Sequence, residues 1–501
     1  MHSWNRERLS PLFTRRFFHQ RQRKVAAKHA VGEAPLLQFF SFSTRRLLAR
    51  AGAIAGTIVL AACEPAEPPV VAASEERPAA LVPAPPPKRV AEADATLGRL
   101  IEGAPKWVVA GERSNVELLR RFYAGHGFAP VWTDREAQAK SLIDAVLHAR
   151  DHGLAPELFH ADLLRSSATL PTLERDLLLS TAFLSYADAL ARGAMPIERR
   201  KDEEALAPEP IDVVAALDAA IGSPDPAAAI EALAPTTPTY RLLREALQKS
   251  RTGIAAGGKS ALSRRREIEV NLERERWLPR RLPSDRVWVN VADQRLVLYR
   301  DDRPVFSTRV IVGQDGKRNQ SPEFQGSIDH IWFNPPWTIP DDIARDEILP
   351  KARSDPDYLE RHNLTLLPDG RLQQRAGPQS ALGHLLFEMN NRFDVYLHDT
   401  PSKSLFDRED RRFSHGCIRV EDPRKLAALL MQQPSDAIDD TISAGATVRR
   451  DLPKPVSVFV VYETAFADSN DTLQFRPDIY GRDAEIWQYL QPKGRATAAR
   501  R

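Results

Sequence analysis

A histidine and a cysteine in the last quarter of the chain have the residue types and spacing of a nucleophilic centre. His398 is followed, after fifteen residues, by Ser414-His415-Gly416-Cys417. A thiol becomes an effective nucleophile near neutral pH only when a base or a positive field favours its thiolate, and a nearby imidazole supplies such a base. The pattern favours a cysteine active site, with a buried and inert cysteine as the alternative.

β-Branched and aromatic residues around these groups predict the strands that must position them. Side chains two residues apart on a strand share a face, so His415 is expected beside Cys417, whereas His398 would come from a neighbouring strand. Gly416 would let the backbone turn so that N–H groups point at a developing oxyanion. Both histidines are therefore candidates for the base.

The histidine, the spacer and the Ser-His-Gly-Cys run resemble the signature of the L,D-transpeptidase catalytic domain. Further segments resemble the large periplasmic L,D-transpeptidases of Gram-negative bacteria. They are Val270-Asn-Leu-Glu-Arg, Trp277-Leu-Pro, Asn334-Pro-Pro-Trp337, Tyr396-Leu-His-Asp-Thr-Pro and the runs at residues 413–420 and 475–483. The resemblance covers roughly residue 95 to the C-terminus.

The resemblance implies an α+β fold, in which a mostly helical scaffold domain precedes a mainly β catalytic domain. The catalytic domain is expected to be an L,D-transpeptidase-like β-sandwich with a helical and loop-like capping insertion at about residues 340–380. Neither a cofactor nor a metal is implied. The peptidoglycan-binding module usual in that branch is expected to be missing, because residues 250–266 form only a Gly/Ser/Arg-rich stretch.

The resemblance also assigns roles to the two principal residues. His398 would deprotonate Cys417 or form an ion pair with it. A backbone carbonyl just after the histidine, at Asp399 or a near neighbour, would orient the imidazole; the Asp399 side chain as the third member of a triad is the alternative. Tyr396 would offer its hydroxyl to the oxyanion, together with the N–H groups of Gly416 and Cys417.

The remaining candidates would bind the substrate or shape its pocket. Ser414 belongs to the oxyanion and substrate-binding set, and His415 would shape the donor pocket. Arg419 suits a carboxylate of the stem peptide, which an arginine binds in bidentate fashion. Trp337 is either a wall of the donor pocket or a core residue.

The implied reaction is acyl transfer in two steps. Cys417 would attack the carbonyl of the third stem residue, release D-Ala and hold a thioester, which the amine of a second stem would resolve into a 3→3 peptidoglycan crosslink. Water, a free D-amino acid or a protein lysine are alternative acceptors. A zinc hydrolase using His398, His415 and Cys417 and a non-catalytic wall-binding assembly protein are rival functions.

The charge distribution argues against a nucleic-acid partner. The formal net charge is +3, but residues 1–62 carry eleven basic and two acidic residues. The remainder has 59 basic and 65 acidic residues, a net charge of −6. Without residues 1–62 no electrostatic basis for nucleic-acid binding remains.

The N-terminal residues predict export and anchoring. Arginines precede a short apolar run that ends in Leu60-Ala-Ala-Cys63, which resembles a lipobox with Cys63 as the lipidated residue. Ordinary signal-peptide cleavage is the alternative. The expected location is the periplasm of a Gram-negative bacterium, with a lipid anchor to the membrane. The expected partners are peptidoglycan stem peptides and proteins of cell-wall synthesis or wall binding. The two cysteines, Cys63 and Cys417, provide no disulfide framework.

Composition and pattern divide the chain into six segments. These are an export signal at 1–63, a Pro/Ala-rich linker at 64–94, a helical scaffold domain at 95–250, a linker and connecting helix at 251–285, the catalytic domain at 286–450, and a C-terminal strand and tail at 451–501.

Overall fold

The computed structural model describes residues 97–99, 101, 108–109, 112–113, 116–200, 206, 208, 210–252 and 259–492. All of them belong to one unit, Pro83–Arg501. The predicted export signal and the linker at 64–94 lie outside the described residues. Within the described ranges, no helix has the length and apolar composition that crossing a membrane requires.

The N-terminal part of the described chain is helical, which confirms the prediction from its apolar stripes. Its helices are α1 (Val116–Gly125), α2 (Glu136–Leu147), α3 (Ala161–Arg165), α4 (Thr172–Arg192), α5 (Val213–Ile221), α6 (Pro226–Glu231), α7 (Pro238–Thr252) and α8 (Lys259–Glu275). Two short strands, β1 (Val108–Val109) and β2 (Glu112–Arg113), precede them. The apolar stripe of α4 is fully buried and forms the centre of the helical core.

Helix α8 joins the helical part to the sheet through buried contacts. Its residue Leu272 belongs to the same apolar core as Phe459 of the sheet. Asn271 donates to the Thr464 hydroxyl at 2.7 Å, and Arg274 contacts the Asp483 carboxylate at 2.6 Å. The segment expected as a linker and connecting helix thus contributes, from Ile268 on, to a core that both regions share.

The catalytic region is mainly β, as predicted. Its strands are β3 (Arg286–Asn290), β4 (Arg295–Arg300), β5 (Arg303–Gly313), β6 (Phe324–Phe333), β7 (Trp337–Thr338), β8 (Leu364–Leu366), β9 (Leu372–Gln374), β10 (Leu385–Met389), β11 (Leu397–His398), β12 (Arg412–Ser414), β13 (Ile418–Val420), β14 (Val448–Val461), β15 (Ala465–Ala467) and β16 (Leu473–Phe475). Alternate residues of the main strands are buried, so one face of each strand points to the core.

The main sheet closes on itself. Its order is β12-β5-β13-β11-β10-β6-β14-β3-β4, and β4 also pairs with β5. The ring encloses an apolar core that includes Val289, Leu298 and Phe387. Because β14 lies between β6 and β3, the boundary expected at residue 450 falls inside an essential strand of the ring.

A capping insertion follows β6, where the sequence predicted it. It contains α9 (Asp341–Ile343), a π-helix (Ala344–Ile348), α10 (Leu349–Ser354), α11 (Tyr358–Arg361) and a small sheet in the order β7-β9-β8. A separate apolar cluster that includes Ile339, Leu364 and Leu372 holds it together.

The last helices support the sheet from outside. They are α12 (Pro423–Met431), α13 (Ser435–Ser443) and α14 (Asp483–Leu490). Helices α12 and α13 pack on the core of the ring through Leu426 and Ile438. Helix α14 instead joins the core of the helical part through Ile486, so the C-terminal segment packs at the junction of the two regions.

Candidate active site

Two short parallel strands position the histidine and the cysteine. In the β11–β13 pair, His398 lies opposite Arg419, and the Ile418 N–H donates to the Tyr396 carbonyl at 3.0 Å. Cys417, one residue before Ile418, therefore lies beside Tyr396 at the start of this pair.

Alternation along the strands brings the polar side chains to one face. Leu397 and Ile418 are fully buried in the core of the ring. Their neighbours His398, Cys417 and Arg419 consequently lie on the opposite face, and the guanidinium of Arg419 acts electrostatically on both His398 and Cys417. The structure thus brings together the histidine and the cysteine that the sequence singled out.

The ring of His398 is fixed by a backbone acceptor. The His398 Nδ1 atom lies 2.6 Å from the Asp399 carbonyl oxygen, which can only accept, so Nδ1 carries the proton and Nε2 is left as the basic nitrogen. The side chain is only 5% exposed. Burial, and then the positive charge of Arg419, lower the pKa of His398 to about 4.

The thiol of Cys417 is also disfavoured as an ion. Burial raises its pKa, and the Tyr396 backbone N–H and Arg419 oppose that rise only in part. The sulfur lies 3.8 Å from the Asp394 carbonyl oxygen. Both shifts favour a resting pair made of a neutral thiol and a neutral imidazole, rather than an ion pair.

Ser414 organises the turn before the nucleophile. Its hydroxyl donates to the Cys417 carbonyl at 2.5 Å and accepts from the Gly416 N–H at 3.2 Å, while Ser321 donates to the Gly416 carbonyl at 2.8 Å. Gly416 has φ +120°, a region that other residues rarely adopt. The Gly416 N–H, predicted to face the oxyanion, is therefore already engaged by Ser414.

The Asp399 carboxylate has a structural role, so the triad alternative for this side chain is wrong. It accepts from the His384 N–H at 2.9 Å, the Thr400 N–H at 2.7 Å and the Lys403 ammonium at 2.8 Å. If residue 383 were not a glycine, its Cβ atom would come within 2.4 Å of the Asp399 carboxyl group. The orienting group is the Asp399 carbonyl, and its carboxylate is not directed at a substrate.

His415 contacts the cap. Its Nε2 atom lies 2.6 Å from Glu347 Oε1 in the π-helix. Both residues line a cavity of about 400 Å³ between the cap and the loop at 316–319. The chain bends at His415 and Gly416, so the expectation that His415 shares a strand face with Cys417 does not hold.

Trp337 belongs to the cap as well. It pairs with Gln374 in the small sheet and packs against the apolar cluster of the cap. Trp337 is partly buried in this packing, and its role in a donor pocket stays a prediction.

Arg419 and Tyr396 remain available on the face that carries the thiol. Among the residues that the structure describes, the buried Nε of Arg419 has no hydrogen-bond partner. Tyr396 is half-buried beside Cys417. No group of three or more metal-ligating side chains occurs in the described ranges, so His398, His415 and Cys417 are not gathered as a ligand set.

Several supporting residues had no recognisable sequence signal of their own. Ser321 is completely buried beneath the nucleophile turn, and Tyr480 donates to the Gly313 carbonyl at 2.5 Å in the same region. Tyr480 lies in one of the segments that carry the family resemblance. That resemblance is the only signal that could have pointed to it.

Comparisons with known proteins agree with this architecture. Residues 117–247 match the model of a scaffold domain, and residues 284–453 match that of the L,D-transpeptidase catalytic domain. A Haemophilus influenzae protein named "Putative L,D-transpeptidase" is 29% identical over 410 residues, which are 74% of this chain and 78% of that protein.

Two solved structures match part of the chain at low similarity. An L,D-transpeptidase from Mycobacterium smegmatis has a TM-score of 0.20 at 15% identity, covering 35% of this chain and 58% of that one. A cysteine-to-serine mutant of an Enterococcus faecium L,D-transpeptidase has a TM-score of 0.17 at 10% identity, covering 36% and 50%. This chain thus covers 58% and 50% of those two chains. In sequence, residues 284–453 are similar to the L,D-transpeptidase catalytic domain, and residues 117–247 are similar to a scaffold domain.

Proposed function

We propose that this protein is a peptidoglycan L,D-transpeptidase with Cys417 as its nucleophile. Its donor would be a tetrapeptide stem and its acceptor the amine of another stem, which gives 3→3 crosslinks in the cell wall. The observation that carries the proposal is the arrangement of His398. Its Nδ1 is held by a backbone carbonyl, and its ring lies on the strand face that also carries Cys417.

In the first step, Cys417 attacks the carbonyl carbon of the third stem residue. The thiol proton passes to His398 Nε2 as the sulfur–carbon bond forms, so the neutral resting pair becomes charged only during the reaction. The imidazolium then returns this proton to the departing D-Ala amine. A thioester on Cys417 and a neutral His398 remain.

In the second step, an acceptor amine attacks the thioester. His398 takes a proton from the amine as the new amide bond forms, and the sulfur leaves and is protonated again. Water in place of the amine would release a free tripeptide, which makes the protein a carboxypeptidase-like hydrolase. Transpeptidation and hydrolysis therefore pass through the same thioester, and the acceptor determines which of them occurs.

Two groups are proposed to stabilise the oxyanion, namely the Cys417 N–H and the Tyr396 hydroxyl. The Gly416 N–H is left out because Ser414 engages it. Arg419 is proposed to bind a substrate carboxylate, because it lies on the face of the thiol and its buried Nε has no hydrogen-bond partner among the described residues. Ser414 then acts as a positioning residue, and His415 shapes the donor side of the site from beneath the cap.

The proposal extends to location and to the division of the chain. We infer a periplasmic protein, anchored by a lipid on Cys63 and working with proteins of the cell wall. Residues 1–94 would be the signal and the tether. Residues 95–250 would be the scaffold, and the catalytic domain would run from 286 to the end of β14 at Val461.

Intact-mass analysis with a disaccharide-tetrapeptide tests the function directly. The wild-type protein is expected to gain a thioester adduct and to produce dimeric muropeptides with 3→3 links. Cys417→Ala should give neither, whereas the matched control Cys63→Ser should behave like wild type in the soluble assay. An adduct that resolves only to free tripeptide would establish a hydrolase. A complete absence of adduct and of substrate turnover would overturn the catalytic proposal.

A further inference from the structure

A second large cavity lies at the junction of the helical part and the ring. It has a volume of about 740 Å³, which is within the range of binding sites for small molecules. One wall is formed by residues 237–239 and the end of α8. The other walls are the outer face of β3 and β4 and the hairpin of β15 and β16. Nothing in the transpeptidation chemistry uses this cavity.

Three aromatic rings line the cavity and are partly exposed. Trp288 packs on Phe459 at a centroid distance of 5.4 Å, Arg286 lies 4.2 Å from the ring centre of Tyr299, and Phe466 is the third ring. Trp288 and Tyr299 are thus each held by contact with a neighbouring side chain. Fixed aromatic surfaces of this kind offer apolar contact area at a low cost in conformational entropy.

Polar groups are interleaved with the rings. The carboxyl groups of Glu275 and Glu463 are buried against each other. The Asn290 side chain donates to the Glu463 carbonyl and accepts from the Glu463 N–H. Arg286 is 9% exposed, and in the described part of the chain its Nε atom is buried without a partner. The cavity therefore combines apolar faces with donors and acceptors that are already fixed.

The charge of the cavity restricts its ligand. It is lined by six acidic residues and three arginines. They are Glu275, Asp293, Asp302, Glu463, Asp468 and Asp471, against Arg286, Arg295 and Arg476. This excess of acidic groups disfavours anionic polymers. A ligand with apolar faces, many hydroxyl or amide groups and no negative charge is the complementary one.

We propose that this cavity binds an uncharged saccharide, namely the amino-sugar glycan of the peptidoglycan substrate. Sugar rings present a face of C–H groups that can stack on Trp288 and Tyr299, and an edge of hydroxyl and acetamido groups that can bond to the polar wall. The inference rests on the proposed function, since it gives the glycan part of that substrate its own site.

The position of the cavity suits this role. Strand β5 pairs with β4, which lines the cavity, and with β13, which begins next to Cys417. Ser307 of β5 lines the cavity, and Ile311 of the same strand pairs with Arg419. They lie four positions apart along β5, a distance of roughly 13 Å. A glycan in the cavity and a stem peptide at the thiol can thus belong to one polymer.

Calorimetric titration of the full chain with a β-1,4-linked tetramer of N-acetylglucosamine tests the inference. This probe has no peptide, so it does not occupy the thiol site. We expect saturable binding to the wild-type protein and to Cys417→Ala. Trp288→Ala should weaken it about tenfold through the loss of one stacked ring. Trp332→Ala, a change of a partly buried tryptophan elsewhere on the ring, should leave it unchanged.

A second variant keeps the test valid if Trp288→Ala fails to fold. Ser469 is exposed at the rim of the cavity, so Ser469→Trp should fill the space and reduce binding without removing a core contact. The inference is overturned if wild type shows no saturable binding at millimolar tetramer, if both cavity variants bind like wild type, or if a sulfated oligosaccharide binds more tightly.

The mass assay separates this result from the proposed function. Thioester formation without binding of the tetramer would refute the saccharide site and leave the transpeptidase proposal standing. Binding of the tetramer without any thioester would do the reverse.

Discussion

The pair of His398 and Cys417 and the pair of Glu275 and Glu463 both contain buried ionisable groups, but they differ in which atoms remain free to react. At the nucleophile, burial lowers the pKa of His398 and raises that of Cys417. At the junction, burial and the neighbouring Glu275 carboxyl raise the pKa of Glu463 well above its ordinary value.

The partners of each pair account for the difference. At the predicted nucleophile, a backbone carbonyl takes up one imidazole nitrogen and leaves the other as the basic nitrogen, with the ring on the strand face that also carries Cys417. At the junction, Thr237 and Trp288 donate to the carboxyl oxygens. A shifted pKa therefore marks both places, but only the first keeps a basic atom and a nucleophile for a substrate.

Among the changes that test this comparison, removal of the predicted base should have the largest effect. His398→Ala is expected to slow thioester formation by about a hundredfold or more, because the thiol loses its proton acceptor. Stopped-flow mass analysis of the acylation step would measure it. A rate for His398→Ala within threefold of wild type would mean that His398 is not the base.

The protonation state of the pair can be read from alkylation of the thiol. Since the pKa of Cys417 is raised and His398 stays neutral above about pH 4, little thiolate exists at neutral pH. In a Cys63→Ser background, the rate of reaction with iodoacetamide should rise about tenfold per pH unit between pH 6 and 8. A plateau across this range would instead reveal a preformed ion pair.

The junction pair should affect stability rather than catalysis. A carboxyl whose pKa is raised in the folded state holds a proton that the unfolded chain releases, so its stabilising effect is greatest at acidic pH and is lost as pH rises through the raised pKa. Glu463→Gln should remove this dependence. We expect the melting temperature of wild type, relative to Glu463→Gln, to fall by about 2 °C or more between pH 5 and 8.

An exposed acid provides the comparison for that experiment. Asp302 pairs with Arg286 near the same cavity but is mostly exposed. Asp302→Asn should therefore keep the pH dependence of wild type. If Glu463→Gln and wild type melt in parallel at every pH, the two carboxyl groups do not share a proton.

The smallest effect is expected at the contact of the cap with the nucleophile turn. His415 and Glu347 are 33% and 45% exposed, and solvent weakens such contacts to below about 1 kcal/mol. Glu347→Gln should change the melting temperature by less than about 1 °C and the acylation rate by less than about threefold. A tenfold loss of rate would show that this contact holds the site in its reactive form.

The sequence predicted the parts of the site whose signals are local or belong to a motif. The spacing of His398 and Cys417 predicted a nucleophile and its base, and their roles stay predictions. Gly416 was expected at a turn, and it has φ +120° there. The helical first region and the mainly β second region follow the predicted order, because helices such as α5 and strands such as β3 carry regular patterns of buried residues.

The parts that were missed depend on partners distant in the chain. No local pattern shows that Glu275 meets Glu463, that Ser321 bonds to Gly416, or that β4 closes the ring on β5. The role of Asp399 was left between two alternatives, since only the three-dimensional structure shows which of its oxygens faces His398.

Closure of the ring also sets an order for synthesis and folding. Strand β14 fills the gap between β3 and β6, yet it ends at Val461, after both His398 and Cys417 in the chain. Pairing between residues so far apart in sequence forms slowly. A growing chain that already contains the thiol still lacks this strand, so we expect the proposed acyl transfer to begin only after residue 461 has been added.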